Sequence, residues 1–281
     1  MKYCLSIDIG ASNIRLAIID EQYKIINKVK EGTNKDLDLS EQIFLLYPKL
    51  NNKLKLEVVS VGVAGSLDFK RGLIRDVPGL NIFEYDLKSK LEDSFKVDVI
   101  INNDASLGAM GEYLMFDKEG VFQYITISTG IGGGLVYKDK LFKGHLGFEQ
   151  EIGRMIIRDN KTFEQLCSGT ALKLNLIKAN FNFKYPSDSL VNKDAKHQDI
   201  IKNWVSDLAI GVSNVIKIIN PSIIVFGGGL GKFLDYYKED LVIELSKYLP
   251  TEVLTELLLE KSRLEDDNVL VGASYLAFNK E

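Results

Sequence analysis

The strongest constraint in this 281-residue chain is a pattern that occurs twice. At the start, KYCLSIDIG, ASN and IRLAIID read as strand, turn and strand, and EQYK then turns into a third strand, IINKV. The succession returns from residue 122 as FQYITIST, GIGGG and LVYKDKLFKG, with Tyr3 and Tyr124 opening comparable runs. A chain that writes the same antiparallel meander twice predicts two similar halves, with a cleft between their hairpin turns.

Between and after the meanders the period changes. LSEQIFLLYPKL has helical spacing, LEVVSVGVAG and VDVIINND are strands ending in turns, and Ala105 to Phe116 reads as a helix. A long amphipathic helix carries Ile201, Trp204, Leu208, Val212, Val215 and Ile219 at spacings of three and four and stops at Asn220 and Pro221. SIIVFGGG follows as a strand with glycines, and VLVGASYLAF as a last helix that could pack on either half. Strands alternating with helices predict an α/β fold, and Trp204 is most simply a core residue. At 46% hydrophobic content the length suits two domains: 1–116, completed by a C-terminal helix at 267–281, and 117–266.

Composition removes several classes of function. A net charge of -4 with dispersed lysines gives no footprint for nucleic acid. The longest apolar runs are too short and glycine-rich to span a bilayer, and MKYCLSIDIG reaches an aspartate too soon for a secretory signal, so no membrane partner is expected and the location is read as cytoplasmic. Cys4 and Cys167 form neither a disulfide framework nor a CxxC zinc pair. With only His145 and His197 available, a general base is expected to be a carboxylate.

Three glycine-bearing segments each follow a strand: Asp8 to Asn13, Ser128 to Gly134, and Gly227 to Gly229. Glycine lets a backbone approach an anion and aim its amides at it, and Ser12, Asn13 and Thr129 add side-chain donors; each segment also reads as a plain hairpin turn. No GxxxxGK[ST] occurs, and Leu135 breaks GxGxxG, so a phosphate site would use hairpins rather than a helix-capping loop. Asp8 suits hydrated magnesium or a simple turn. Asn103 and Asp104 end a strand before a helix, where an aspartate can cap the helix, accept a proton, or do both. GFEQEIGRM, Gly147 to Met155, is a polar turn or a substrate-binding segment around Arg154.

Taken in order, DIGASN, GVAGSLD, INNDASLGAMGE, TISTGIGGGLV, FEQEIGRM and NPSIIVFGGG resemble the ROK family of sugar kinases and sugar-responsive repressors, from about residue 3 to residue 275. The resemblance implies two ribonuclease-H-like (actin-like ATPase) domains around a central cleft, with ATP mainly on the second and a sugar between them. By position, Asp8, Gly10, Ser12 and Asn13 match one phosphate segment, Thr129, Gly130, Gly132 and Gly133 the other, and Gly227, Gly228 and Gly229 the adenosine segment. Asp104 matches the catalytic base, and Gly65, Asn103, Glu151 and Glu164 match sugar-binding positions; magnesium, with Asp8, would stabilise the phosphates. A homodimer is implied as well.

The departures are specific. Arg154 stands where the family has a zinc-binding histidine, and the cysteine-rich segment expected before Glu164 is missing, so no zinc is expected. Arg154 then either donates to the sugar or pairs with Glu149 or Glu151. Gln150 replaces a glycine, and Gly79 replaces an asparagine of a sugar-side element that leaves nearby Asn81 out of position. The leading expectation is an ATP-dependent kinase of a hexose-type hydroxyl, with glucose, N-acetylmannosamine, N-acetylglucosamine, fructose and β-glucosides all open. The alternative is a catalytically silent sugar-binding regulator. A repressor would need a helix-turn-helix for which no room precedes residue 8.

Overall fold

The structure, a computed structural model, describes residues 1–51, 53–68, 71–77, 80–116, 119–145, 150–192 and 194–279. The chain forms two compact units. One comprises Met1–Leu114, Lys143–Glu149 and Asp266–Glu281; the other comprises Met115–Phe142 and Gln150–Glu265.

In the first unit the meander is β1 (Tyr3–Ile9), β2 (Asn13–Asp20) and β3 (Ile25–Gly32). Helix α1 (Leu39–Leu46) leads to β4 (Val58–Val63), then to a small sheet of β5 (Ser66–Asp68), β6 (Leu73–Val77) and β7 (Ile82–Tyr85). Helix α2 (Leu87–Phe95), β8 (Asp98–Asn103) and α3 (Asp104–Tyr113) follow. The main sheet has the order β3-β2-β1-β4-β8, antiparallel through the meander and parallel from β1 onward.

Because this sheet is covered on both faces, β4 is buried at every position and β1 at every position but Tyr3, with Ser6, Asp8 and Ser60 buried among apolar neighbours. Leu5, Ile7 and Val61 pack with Ile43, Leu46 and Leu91 of the helices on one face. On the other, Cys4 and Val58 meet Ala277 of the C-terminal helix, Asn268–Phe278. That helix crosses α3 at backbone contact: a Cβ on Gly111 would fall on the Asn268 carbonyl, and one on Gly272 on that of Leu107. Only glycine permits this approach, which fixes α3 and the residue at its first position.

The second unit repeats the order. Its meander is β9 (Val121–Ile127), β10 (Ile131–Tyr137) and a short β11 (Lys140–Leu141). A hairpin of β12 (Ile156–Arg158) and β13 (Lys161–Thr162) comes next, then α4 (Phe163–Cys167), α5 (Gly169–Lys178), α6 (Asp188–Val191) and α7 (Ala195–Ile219). The unit ends with β14 (Ile223–Gly227), α8 (Gly228–Gly231), α9 (Lys238–Leu245), α10 (Thr251–Glu256) and β15 (Leu258–Lys261). Sheet order is β11-β10-β9-β14-β15, with the same pattern of antiparallel and parallel neighbours as the first unit.

Helix α7 is capped by Asp194 and stopped by Asn220 in the left-handed region, φ 50°. Its apolar stripe lies in the core, where Trp204 packs edge-on against Tyr237 and donates its indole N–H to the Cys167 carbonyl at 2.8 Å. Each such buried side chain contributes roughly 1.5–3 kcal/mol. His197 is likewise structural, its Nε2 within 3.0 Å of the Ser189 carbonyl and 2.8 Å of the Asn192 carbonyl. Among the described residues no helix is long and apolar enough to cross a membrane.

Candidate active site

The parallel register sets one edge of the first unit's sheet. Val63 pairs with Ile9 on one side and Asn103 on the other, so β1, β4 and β8 end level. The residues just beyond, Gly10, Gly65 and Asp104, therefore share that edge.

The first turn is braced from within and from β3. The Gly10 amide donates to the Asn13 carbonyl at 2.9 Å, and the Thr33 hydroxyl donates to the Gly10 carbonyl at 2.7 Å. Ser12 is left exposed at the tip. Asp8, only 4% exposed, faces Arg15 directly across the antiparallel ladder. Arg15 donates to its carboxylate at 2.5 Å and reaches Asp266 at 3.3 Å, which Lys30 also holds at 2.8 Å. Burial pushes the Asp8 carboxyl above its ordinary value, against the opposing pull of Arg15.

Magnesium is held in many phosphoryl-transfer sites by one or two carboxylates, water and substrate phosphates. One buried carboxylate beside a turn, as Asp8 is, fits such an ion. Among the described residues there is no group of three acidic, histidine or cysteine ligands. Arg15 escaped the sequence reading, although a hairpin closed between Ile9 and Ile14 puts residues 8 and 15 opposite each other.

The cap of α3 falls on Asn103 rather than Asp104, and the helix runs Asp104–Tyr113 rather than from Ala105 to Phe116. Asn103 is extended, with its Oδ1 accepting from the Ser106 amide at 3.1 Å and its Nδ2 donating to the Gly65 carbonyl at 3.4 Å. Asp104 is released from capping. It occupies the first helical position, half-buried, where the positive end of the helix stabilises a carboxylate. Its Oδ1 accepts from the Ala105 amide at 2.8 Å. Gly65 has a packing reason to be glycine, since a Cβ there would fall on the Asp76 carbonyl.

In the second unit the turn is tighter, with Ile127 pairing directly with Ile131 and the Ser128 amide donating to the Gly130 carbonyl at 2.8 Å. Thr129 is exposed, and its carbonyl accepts from Thr170 at 2.7 Å. The Glu164 carboxylate lies against this turn: it accepts from the Ile131 amide at 2.8 Å and occupies the place a Cβ on Gly130 would need. Gly132 pairs with Thr126, and Gly133 leaves room for Ile152. That contact seats the short helical turn Ile152–Arg154 on β10.

Of GFEQEIGRM, Gly147 to Glu149 lie outside the described residues, as does Gly79. Gln150 adopts φ 59°, a conformation that favours glycine, and its side chain turns to buried Gln123 at 2.8 Å. Arg154, with 64% of its side chain exposed, donates through Nε to the Glu151 carboxylate at 2.8 Å. The ion-pair reading of Arg154 is thus the arrangement seen in this structure.

From Arg154 to Glu164 the chain passes through the β12–β13 hairpin. Its tip, Asp159 and Asn160, has both φ values positive at 49° and 56°, as a two-residue type I′ turn requires. The Phe163 amide closes its base on the Met155 carbonyl at 2.7 Å. Arg158 pins it to α7 through Asp207, at 3.0 Å. Neither residue was singled out from sequence, because 49 positions separate them.

The third glycine segment is not a hairpin but a strand-to-helix junction, since Gly228 to Gly231 form α8. Register places Gly227 beside Thr126, near the Ser128–Gly130 turn. Gly227 makes room for the Tyr124 ring, and Gly228 has φ +77° with Ile127 O 2.7 Å from a Cβ position. Gly229 differs: it is exposed, and nothing lies within 4 Å of where its Cβ would be. Of the three, it alone presents an open face.

The ROK family model matches residues 4–280. The glucokinase of Thermotoga maritima is 26% identical, with 97% of this chain and 96% of that protein covered. A putative xylose repressor of Caldicellulosiruptor is 25% identical over 95% of this chain and 76% of its own length. Among solved structures, a ROK family glucokinase from Streptomyces griseus in complex with glucose and AMPPNP superposes with a TM-score of 0.81 at 22% identity, covering 98% of both chains.

Proposed function

The chain belongs to the ROK family, with its actin-like ATPase fold, and from that premise we propose that it is an ATP-dependent carbohydrate kinase with Asp104 as general base. The observation that carries this reading is the level edge of the first unit, where a carboxylate not used as the helix cap shares the strand ends with the Gly10 turn. In the reaction a sugar hydroxyl oxygen forms a bond to the γ-phosphorus as the bond from phosphorus to the β–γ bridging oxygen breaks. Asp104 takes the hydroxyl proton, and ADP leaves.

Gly10, Ser12, Asn13, Thr129, Gly130, Gly132 and Gly133 serve the phosphates, and Gly227, Gly228 and Gly229 the adenosine. Gly65, Asn103, Glu151, Arg154 and Glu164 serve the sugar, the carboxylates as charged acceptors for hydroxyls. Asp8 would hold magnesium through water, and the ion when bound offsets charge on the phosphates. The relatives named glucokinase favour a hexose acceptor. We read the enzyme as cytoplasmic and dimeric on the same family footing.

The test is an ATP-consumption screen over hexoses, amino sugars and β-glucosides with magnesium, alongside Asp104→Asn. Turnover with one sugar class, abolished in Asp104→Asn while sugar binding persists, is the expected result. An active Asp104→Asn enzyme would remove Asp104 from the base role. A silent sugar-binding regulator is the second reading, supported by Arg154, which stands at the zinc-binding histidine position and pairs with Glu151, and by the repressor among the relatives. It predicts sugar-dependent thermal stabilisation with no ATP consumed by any sugar.

A further inference from the structure

The first unit holds a cavity of about 280 Å³ that none of the roles above uses. This is close to the lower end of small-molecule pockets, about 300 Å³. It lies between the segment following β3 and strand β7, with Thr33, Asn34 and Lys35 on one side and Asn81, Phe83 and Tyr85 on the other.

Both walls are tied to the proposed site. On one side Thr33 donates its hydroxyl to the Gly10 carbonyl and its amide to the Ser12 carbonyl, at 2.7 and 3.1 Å, so that wall continues into the first phosphate turn. On the other, Phe83 pairs across the small sheet with Asp76, whose carbonyl abuts Gly65. The cavity is therefore bracketed by a segment assigned to phosphate and a segment assigned to sugar.

Its chemistry is that of a neutral, hydroxyl-bearing ring. The side chain of Asn81 and the ammonium of Lys35 make no hydrogen bond among the described residues, and Phe83 stands 70% exposed. An exposed aromatic beside amide groups offers an apolar platform for ring C–H groups and hydrogen bonds for hydroxyls. Lys35 and Asp38 put one charge of each sign on the wall, which suits a neutral ligand better than an ion. Burial opposes the charge of Asp38, but hydrogen bonds from Ser40, Tyr85 and Lys90 outweigh this and hold the carboxyl well below the usual range. The rigid side of the cavity is prebuilt: Gln42 bonds both the amide and the carbonyl of Asn34, each at 2.8 Å, and Tyr85 bonds Asp38 at 2.5 Å.

We propose that this cavity is a subsite for the second, non-reacting ring of an extended acceptor, a disaccharide or glycoside, which rests on the kinase reading above. The probes are glucose, maltose, cellobiose and gentiobiose, assayed with the full chain, Asn81→Ala and Phe83→Ala. At least one disaccharide is expected to show a KM about tenfold below that of glucose, and each variant to raise that KM about fivefold while leaving glucose unchanged, a split of the size one aromatic or hydrogen-bond contact gives.

Equal effects on glucose and disaccharide, or no disaccharide better than glucose, would overturn the subsite while leaving the kinase intact. Calorimetric titration of the same sugars without ATP separates the two ideas. If no sugar is phosphorylated but a disaccharide binds and Phe83→Ala abolishes its advantage over glucose, the kinase reading fails and the cavity stands as a binding site. If no disaccharide binds better than glucose, the subsite fails.

Discussion

Arg158→Met tests whether the β12–β13 hairpin is held by charge. The side chain of Asp207 is 7% exposed and that of Arg158 50%, so the substitution strands a buried carboxylate. Its Oδ1 is already buried without a hydrogen-bond partner among the described residues. Removing one partner of a fully buried pair costs about 3–5 kcal/mol, and solvent screening of the half-exposed guanidinium reduces this to about 2 kcal/mol. For a protein of this size the Tm should fall about 3–4 °C.

The pH dependence gives the sharper check. Burial raises the Asp207 carboxyl above its ordinary 3.8, while Arg158 pulls it down. A raised folded-state value means that this group's contribution to stability is fully present below 3.8 and lost as pH rises through the folded value. Without Arg158 the folded value rises further, so the deficit of Arg158→Met should be largest near about pH 8 and shrink on acidification toward about pH 5. Scanning calorimetry of wild type, Arg158→Met, Asp207→Asn and the double variant across that range measures it. The double variant should be more stable than Arg158→Met alone near about pH 8, since it buries no charge. A Tm within about 1 °C of wild type there, or a deficit that stays constant with pH, would refute the reasoning.

Three further outcomes follow from the site. Gly229→Ala should fold with wild-type Tm yet raise the KM for ATP more than that for sugar, while Gly228→Ala, at φ +77°, should lose about 1–3 kcal/mol in denaturant melts. Arg154→His should shift the KM for sugar much more than that for ATP if Arg154 reaches the sugar in addition to Glu151, and leave both nearly unchanged if its only role is the ion pair. Arg15→Lys keeps the charge on Asp8 but cannot bridge Asp8 and Asp266 together; titrating magnesium against nucleotide binding should show weaker coupling than in wild type, and identical curves would remove Arg15 from that role.

Local pattern was enough to find the meanders, because alternation and glycine punctuation are properties of neighbouring residues. It predicted the long helix with its stop at Asn220 and put Asn103 and Asp104 where a strand gives way to a helix, although the strand ends at Asn103 and Asp104 is already helical. Six motifs in order gave the family. The capping role falls on Asn103 and not on the aspartate the sequence offers for it, because either Asn or Asp supplies the acceptor and only backbone conformation distinguishes the extended Asn103 from the helical Asp104.

What the tertiary structure alone decided lies in contacts between distant positions. Glu164 against the Gly130 turn, Arg158 on Asp207, Thr33 on Gly10 and the cavity between Thr33 and Phe83 have no local signature. Sheet register and helix packing bring these side chains together. The sequence by itself determined two glycine-turned α/β units and the residue types available to them. The fold determined which of those residues are tied up in holding the turns and which, like Gly229, are left facing open space, because that depends on atoms supplied from elsewhere in the chain.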